Sequence, residues 1–431
     1  MIKEKRIGYE MHKWASDLFP ICRSITGDGT RETLSYIKKL LPDLKTYEVP
    51  SGTKAFDWSV PDEWNIHDTY VEDEKGHRVI DFKKNNLHVV NYSEPVDVTL
   101  SLDELDKHLY SLPKQPDAVP YVTSYYKRRW GFCLTHKQRS SLKPQKYHAV
   151  IKSRLGSGSL TYGELILPGR EEKEVLISTY ICHPSLANNE LSGPVVAVAL
   201  AIWLSNLKER RYTYRIVFIP ETIGSIVYLS RNLNIMKKNT VAGFVVTCVG
   251  NDRDYSFLQS PWGYTLADRI ARHALKHHAP NHKECFFWEY GGSDEQQYCS
   301  PNVGLPVVSI MLSRPGTYPE YHTSLDDLSF ITPSGLEGGY EVLKKCIILL
   351  ENNYYYRVPF PCEPHMSKRG LNLQTSLKEL KDPYALTLLL NYLDGKHDLL
   401  EVCYNIGHSL IDCVTLIRKL LEEKLLVKEE K

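Results

Sequence analysis

Apolar positions along this chain gather in short runs of two textures. Glu174 to Ile181, Tyr214 to Ile219, Gly243 to Val249 and Leu305 to Leu312 are compact, partly β-branched runs that predict buried strands. Between or after them, Pro194 to Leu207, Ser225 to Asn232, Leu266 to His278 and Ser334 to Glu351 carry helical spacing. This alternation predicts an α/β fold, a mostly parallel sheet covered by helices on both faces.

The flanking segments have other rhythms. Residues 8 to 42 predict two helices, the first with Tyr9, Met11, Trp14, Ala15 and Leu18 on one face, the second closed by Pro42. The turn-rich loop Arg23 to Gly29 joins them. It is either a plain connection or a place where Arg23 and Ser24 reach a ligand. From Thr53 to His148 the runs become short and strand-like, for example Arg78 to Phe82, Leu87 to Tyr92 and Val96 to Leu100, with aromatics crowded at Tyr121 to Phe132. Residues 354 to 372 hold Pro359, Pro361 and Pro364 and predict a linker, after which helical units ending at Leu425-Leu426-Val427-Lys428 are similar to a winged-helix module. The expected organisation is an α/β domain over 1–52 and 146–358, a β-rich insert over 53–145, and a winged helix over 372–431.

Charge changes the picture by exclusion. Across 431 residues, 53 lysines and arginines nearly cancel 52 aspartates and glutamates, so no global field favours nucleic acid or an anionic membrane. The winged-helix stretch sets Glu401, Asp412, Glu422 and Glu423 beside few arginines, which favours a protein-contact role over DNA. No apolar run approaches the roughly 20 residues of a membrane span, and Met1 to Glu10 lacks the apolar core of a signal peptide, so a cytoplasmic protein is expected. The ten cysteines are scattered with no Cys-x-x-Cys pair, and are expected to be reduced core residues. A homo-oligomer is compatible with this composition but not dictated by it.

Candidate chemistry lies in three polar clusters placed where loops leave the strand runs. The first is His183 with Asn188, Asn189 and Glu190; the second is Glu221 with Thr222 to Ser225; the third is Tyr318 to Asp327, containing Tyr321 and His322. Imidazole nitrogen and carboxylate oxygen suit zinc, and a carboxylate beside a zinc-activated water can act as general base.

Residues 8 to 45 and 146 to 355 resemble zinc aminopeptidases of the bacterial leucyl-aminopeptidase type. The match runs through His183, through Ala187-Asn188-Asn189-Glu190-Leu191-Ser192-Gly193, through Glu221, and through Tyr321-His322-Thr323 with Asp326 four residues after the His. Over its full length the chain resembles a bacterial aminopeptidase-like family often labelled as polysaccharide-biosynthesis proteins, which carries such an insert and a C-terminal winged helix. The resemblance implies His183 and His322 as metal ligands, Glu221 as general base, Asp326 as a partner behind His322, and Asp294, Glu295 and Tyr321 on the substrate side. Three positions depart from the pattern: Asn189 stands for the metal-bridging Asp, Thr222 for a Glu ligand and Thr247 for a strand-end Asp ligand. Neutral groups cannot hold two adjacent cations, so a single zinc is expected, with Glu190 moving in beside His183 and His322. The expected activity is hydrolysis of an amide or peptide bond in a small substrate. The alternative is a metal-free binding protein in polysaccharide or secondary-metabolite assembly.

Overall fold

The computed structural model describes residues 6–289, 292–362, 364–366, 368 and 385–429. The helical start expected from Leu373 therefore lies outside the described residues up to 384. The described residues form two compact units, Met1–Gly263 with Lys283–Tyr340, and Tyr264–His282 with Glu341–Lys431.

In the first unit an eight-stranded sheet has the order Lys45–Pro50, Ser159–Leu167, Thr213–Ile219, Glu174–Tyr180, Thr240–Val245, Val307–Met311, Ser256–Leu258, Lys283–Cys285. Its centre is parallel: Glu174–Tyr180 runs with Thr213–Ile219 on one side and Thr240–Val245 on the other, and the latter pairs in parallel with Val307–Met311. Every residue of Glu174–Tyr180 is buried, as expected for a strand covered on both faces. The expected strand at Gly243 to Val249 begins earlier and ends at Val245, because Val246 to Val249 leave the sheet for the site loop. Ser256–Leu258 and Lys283–Cys285, which have too few residues to show a period, extend the sheet past its last expected strand.

The helix after the central strand is Ser192–Ser205, buried over most of its circumference, which explains its continuous apolar sequence. A single π-turn, Ala187–Leu191, precedes it. Such wide turns recur at functional sites because the extra residue re-aims side chains. Gly193 is required at the seam: a Cβ there would lie 2.2 Å from the Val246 carbonyl oxygen and 2.5 Å from Thr179 Oγ1. A small residue at this point lets the helix start seat directly on the strand ends.

Residues 53–145 contribute most of a four-stranded antiparallel sheet, ordered Arg78–Asp81, Glu63–Glu72, Lys146–Gly156, Val96–Ser101. Trp64 is buried against Tyr92, and its indole N–H donates to the Ser93 carbonyl at 2.9 Å. The insert reaches the third polar cluster by backbone pairing: Tyr121 N donates to His322 O at 2.8 Å, and Ser324 N to Val119 O at 2.8 Å. This places Tyr121 beside His322.

In the second unit a three-stranded antiparallel sheet, ordered Asp394–Asp398, Tyr355–Arg357, Val427–Glu429, accompanies the helices Ala385–Tyr392, Leu399–Asn405 and Leu410–Glu422. This is a winged-helix arrangement. The helix Leu266–His278 belongs to this unit, where Arg269 makes a two-pronged ion pair with Asp398. Among the described residues no helix is long and apolar enough to cross a membrane. All ten cysteines are free.

Candidate metal and hydrolase site

Three loops leaving the carboxyl ends of parallel strands bring the polar clusters together. Cys182 and His183 follow the strand Glu174–Tyr180, Glu221 follows Thr213–Ile219, and His322 sits on the long loop after Val307–Met311. The His183 and His322 ring centroids are 5.5 Å apart, and the Tyr121 ring touches both, at 5.1 and 5.3 Å. Two imidazoles sharing one zinc at the usual nitrogen distance have centroids about 5 Å apart. The Tyr180 and His183 rings, which share no cation, are also 5.5 Å apart, so the spacing is that of packed rings.

His183 is held from both sides. Its Nδ1 lies 2.5 Å from Glu190 Oε2, and its Nε2 lies 3.4 Å from Glu221 Oε2. Its backbone carbonyl accepts from Arg23 Nε at 3.0 Å; Arg23 is itself fully buried and also donates to the Leu18 carbonyl. The loop Arg23 to Gly29 thus supports the site from beneath. Burial disfavours a charged His183, but the neighbouring Cys182 and Glu190 outweigh it and raise its pKa well above the usual value. For His322 burial and the nearby His183 act together, and its pKa falls to about 3. His322 adopts a left-handed backbone conformation, φ 55°, and stacks on Tyr321 with centroids 3.9 Å apart. That conformation is costly for a non-glycine residue and points to a constraint at the site.

Glu221 accepts from Ser293 Oγ at 2.7 Å through Oε1, while its own backbone N–H points to Cys182 Sγ at 3.2 Å. Burial raises its pKa. Asp294 accepts the Thr222 backbone N–H at 2.7 Å, and Glu295 is buried nearby with its pKa pushed up to about 7 by burial. Asp294 rises well above the carboxylate range, from burial and then from Glu221. Two buried carboxyl groups, Asp294 and Glu295, therefore lie on this side of the site with the half-buried Glu221.

Asp326 sits elsewhere than expected. Rather than backing the His322 ring, its carboxylate accepts Asn188 N at 2.6 Å and Asn189 N at 2.9 Å, and its backbone carbonyl accepts from Ala187 N. It caps the π-turn. The three departures from the metal pattern also have definite partners. Asn189 Nδ2 donates to Tyr180 OH at 3.1 Å, Tyr180 OH and Thr247 Oγ1 are 2.5 Å apart, and Thr247 Oγ1 donates to the Asn189 carbonyl at 2.9 Å. Together Asn189, Tyr180 and Thr247 form a neutral hydrogen-bonded ladder. Thr222 leaves the strand with φ 61° and contributes its backbone N–H to Asp294.

Whether these residues suit a cation can be judged from what they leave unmet. Asn189 Oδ1, Glu190 Oε1 and His322 Nε2 are buried without hydrogen-bond partners. Buried polar atoms left unmet in this way call for an explanation, such as strain, a catalytic role, a water or an ion. Cys182, His183 and Glu190 also offer one ligand atom each within 4.8 Å of one another. His322 lies outside this Cys/His/Glu group. Cys182 adjoins His183 along the chain, Ser293 adjoins Asp294 and Glu295, and Tyr121 opens the aromatic run of residues 121–132, so the signal in each case was adjacency to a segment already singled out.

A cleft of about 860 Å³ opens at His322, walled by Pro120, Tyr121, Tyr318, Tyr321 and Lys114. The insert thus supplies one wall and the loop bearing His322 the other.

A parallel-centred sheet with these three loops at one rim, joined to a winged helix, defines an aminopeptidase-like α/β protein with a C-terminal winged-helix domain. Residues 12–353 match the family described as a domain of unknown function, DUF4910, and residues 354–428 match a winged helix-turn-helix model. The chain belongs to the DUF4910 family. It is 45% identical, over 93% of its length and 92% of the relative's, to a candidate polysaccharide biosynthesis protein with an aminopeptidase-like domain from Clostridium acetobutylicum. A crystal structure of a candidate peptidase from Clostridium acetobutylicum superposes with a TM-score of 0.93 at 42% identity, covering 99% of this chain and 97% of the other. The zinc aminopeptidase BSAP from Bacillus subtilis shares the fold, with a TM-score of 0.58 at 13% identity over 81% of this chain and 95% of its own.

Proposed function

We propose that the protein is a metal-dependent hydrolase of an amide or peptide bond, with one zinc ion held by His183 and His322. The observation that carries this reading is the pair of rings 5.5 Å apart with His322 Nε2 buried and unpartnered, next to a carboxylate, Glu221, that faces His183 Nε2. Glu190, through its contact with Nδ1, braces His183 and fixes which ring nitrogen is presented, a role typical of carboxylates behind ligating histidines. Asn189 Oδ1, buried and unpartnered, would offer a bound ion a neutral oxygen in place of an anionic one.

When bound, zinc would make a water acidic enough to be deprotonated near neutral pH and would polarise the substrate carbonyl. Glu221 takes the proton from the attacking water on Oε2 and returns it to the leaving amine, while Ser293 fixes the other oxygen. The raised pKa of Glu221 suits both halves of that transfer. Tyr321 lines the tyrosine-rich cleft, which is where a small peptide or amide would sit, whereas Asp294 and Glu295 are buried behind Glu221 and Thr222. The test is zinc content of the full chain after supplementation, together with hydrolysis of a panel of aminoacyl amides. A protein that takes up no zinc and turns over none of them defeats the proposal.

The neutral ladder Tyr180–Thr247–Asn189 favours a second reading, a binding protein on a peptidase fold serving polysaccharide assembly. Turnover that disappears in Glu221→Gln eliminates it.

A further inference from the structure

The strand Thr213–Ile219 and the helix Ile223–Asn239 are joined by only Pro220, Glu221 and Thr222. So short a connection has to turn sharply. It does so at Thr222, whose φ of 61° and ψ of −75° are those of the rare form of γ-turn, closed by the Ile223 N–H donating to the Glu221 carbonyl at 2.7 Å. Positive φ is costly for a residue with a Cβ, and most costly for a β-branched one. Glu221, the general base inferred above, therefore stands on a strained turn. Strand-to-helix elbows of this kind push a side chain clear of the sheet end.

Strain persists only where the surroundings impose it. Here one short segment does so at two points: Asp294 Oδ1 accepts the Thr222 N–H at 2.7 Å, and the residue before it, Ser293, donates its hydroxyl to Glu221 Oε1 at 2.7 Å. From the helix side, Ser225 Oγ donates to the Thr222 carbonyl at 2.8 Å. Asp294 is fully buried and takes no part in walling the cleft at His322. Its contact is with the turn.

We propose that Asp294 is a positioning residue: by holding the Thr222 N–H it keeps the γ-turn closed, and the closed turn keeps the Glu221 carboxylate facing His183 Nε2. The reaction it serves rests on the hydrolase reading, whereas the placement of Glu221 does not. Without the acceptor at 294, Thr222 relaxes toward negative φ, the peptide between Glu221 and Thr222 rotates, and the carboxylate leaves the imidazole. A misplacement of about 1 Å at a reacting group costs on the order of 10²-fold in rate.

Two comparisons in the full chain need no activity. Thr222→Gly and Thr222→Ala both remove the branched side chain, but only glycine adopts this φ freely, so the glycine variant should have the higher urea midpoint, the reverse of the usual order. In metal-free, ¹⁵N-histidine-labelled protein the His183 Nε2 resonance should move in Asp294→Ala and stay in place in Asp294→Asn, which keeps an Oδ1 acceptor and discards the acid. In the hydrolytic assay kcat should fall on the order of 10²-fold in Asp294→Ala with KM and zinc content unchanged, and Asp294→Asn should recover most of it. A glycine variant no more stable than the alanine one, a resonance that moves in both Asp294 variants or in neither, or a loss of KM or zinc in place of kcat overturns the proposal. A wild type that turns over no aminoacyl amide defeats the hydrolase reading instead, and the first two comparisons still decide what places Glu221.

Discussion

Glu190 Oε2 and His183 Nδ1 are 2.5 Å apart, one residue along from the neutral amide of Asn189. The acid orients the imidazole. Glu190→Gln keeps the shape and removes the charge, and zinc affinity should fall about 10- to 100-fold, as measured by competition with a chromogenic chelator.

Glu221 and His322 should separate chemistry from binding. Glu221→Gln is expected to retain zinc while hydrolysis falls about 10²- to 10⁴-fold. His322→Ala should lose the metal and the activity together. Elemental analysis beside initial rates on one aminoacyl amide distinguishes the two, and a Glu221→Gln protein that still turns over at the wild-type rate removes the residue from the mechanism.

Arg23 is a structural prop with a measurable weight. Replacing it by Met strips a donor from the buried carbonyls of His183 and Leu18, each an acceptor that water cannot reach. A loss of about 3 kcal/mol is expected from leaving such groups unmet. Urea unfolding of the wild type and the variant at one pH reads the difference.

The winged-helix unit should weaken in acid through His273. Its folded pKa, about 4, lies below the ordinary 6.5, so between these values the unfolded chain binds more protons and stability rises with pH. The contribution is complete above about pH 6.5 and is lost as the pH falls through about 4, for a total of about 3 kcal/mol. His278, lowered to about 4 by burial and Lys345, adds in the same direction. Denaturation midpoints of the transition reporting on residues 399–422, taken from pH 7 to pH 4, should decline, and His273→Gln should flatten the decline.

The sequence exposed the sheet and its helices because strands buried on both faces must be continuously apolar, as Glu174–Tyr180 is, and the helices must carry a period, as Leu266–His278 does to the residue. It exposed the loops bearing His183, Glu221 and His322 for the same reason: each follows such a strand. What it hid was which atoms meet. The π-turn has no composition of its own, so nothing announced that Glu190 would turn to Nδ1 or that Asp326 would cap Asn188 and Asn189. The partnership of His273 with Leu410 joins residues 137 positions apart, beyond any local pattern.

The Tyr180–Thr247–Asn189 ladder has a consequence for substitution. An aspartate introduced at 189 alone would place a new anion where Asn189 now donates to Tyr180 OH and lies against Cys248 Sγ, with no second cation to neutralise it. Glutamate at 222 or aspartate at 247 would each arrive equally alone. An acid introduced singly at 189 or 247 is therefore expected to cost stability, because both positions are buried and the ladder offers no partner cation.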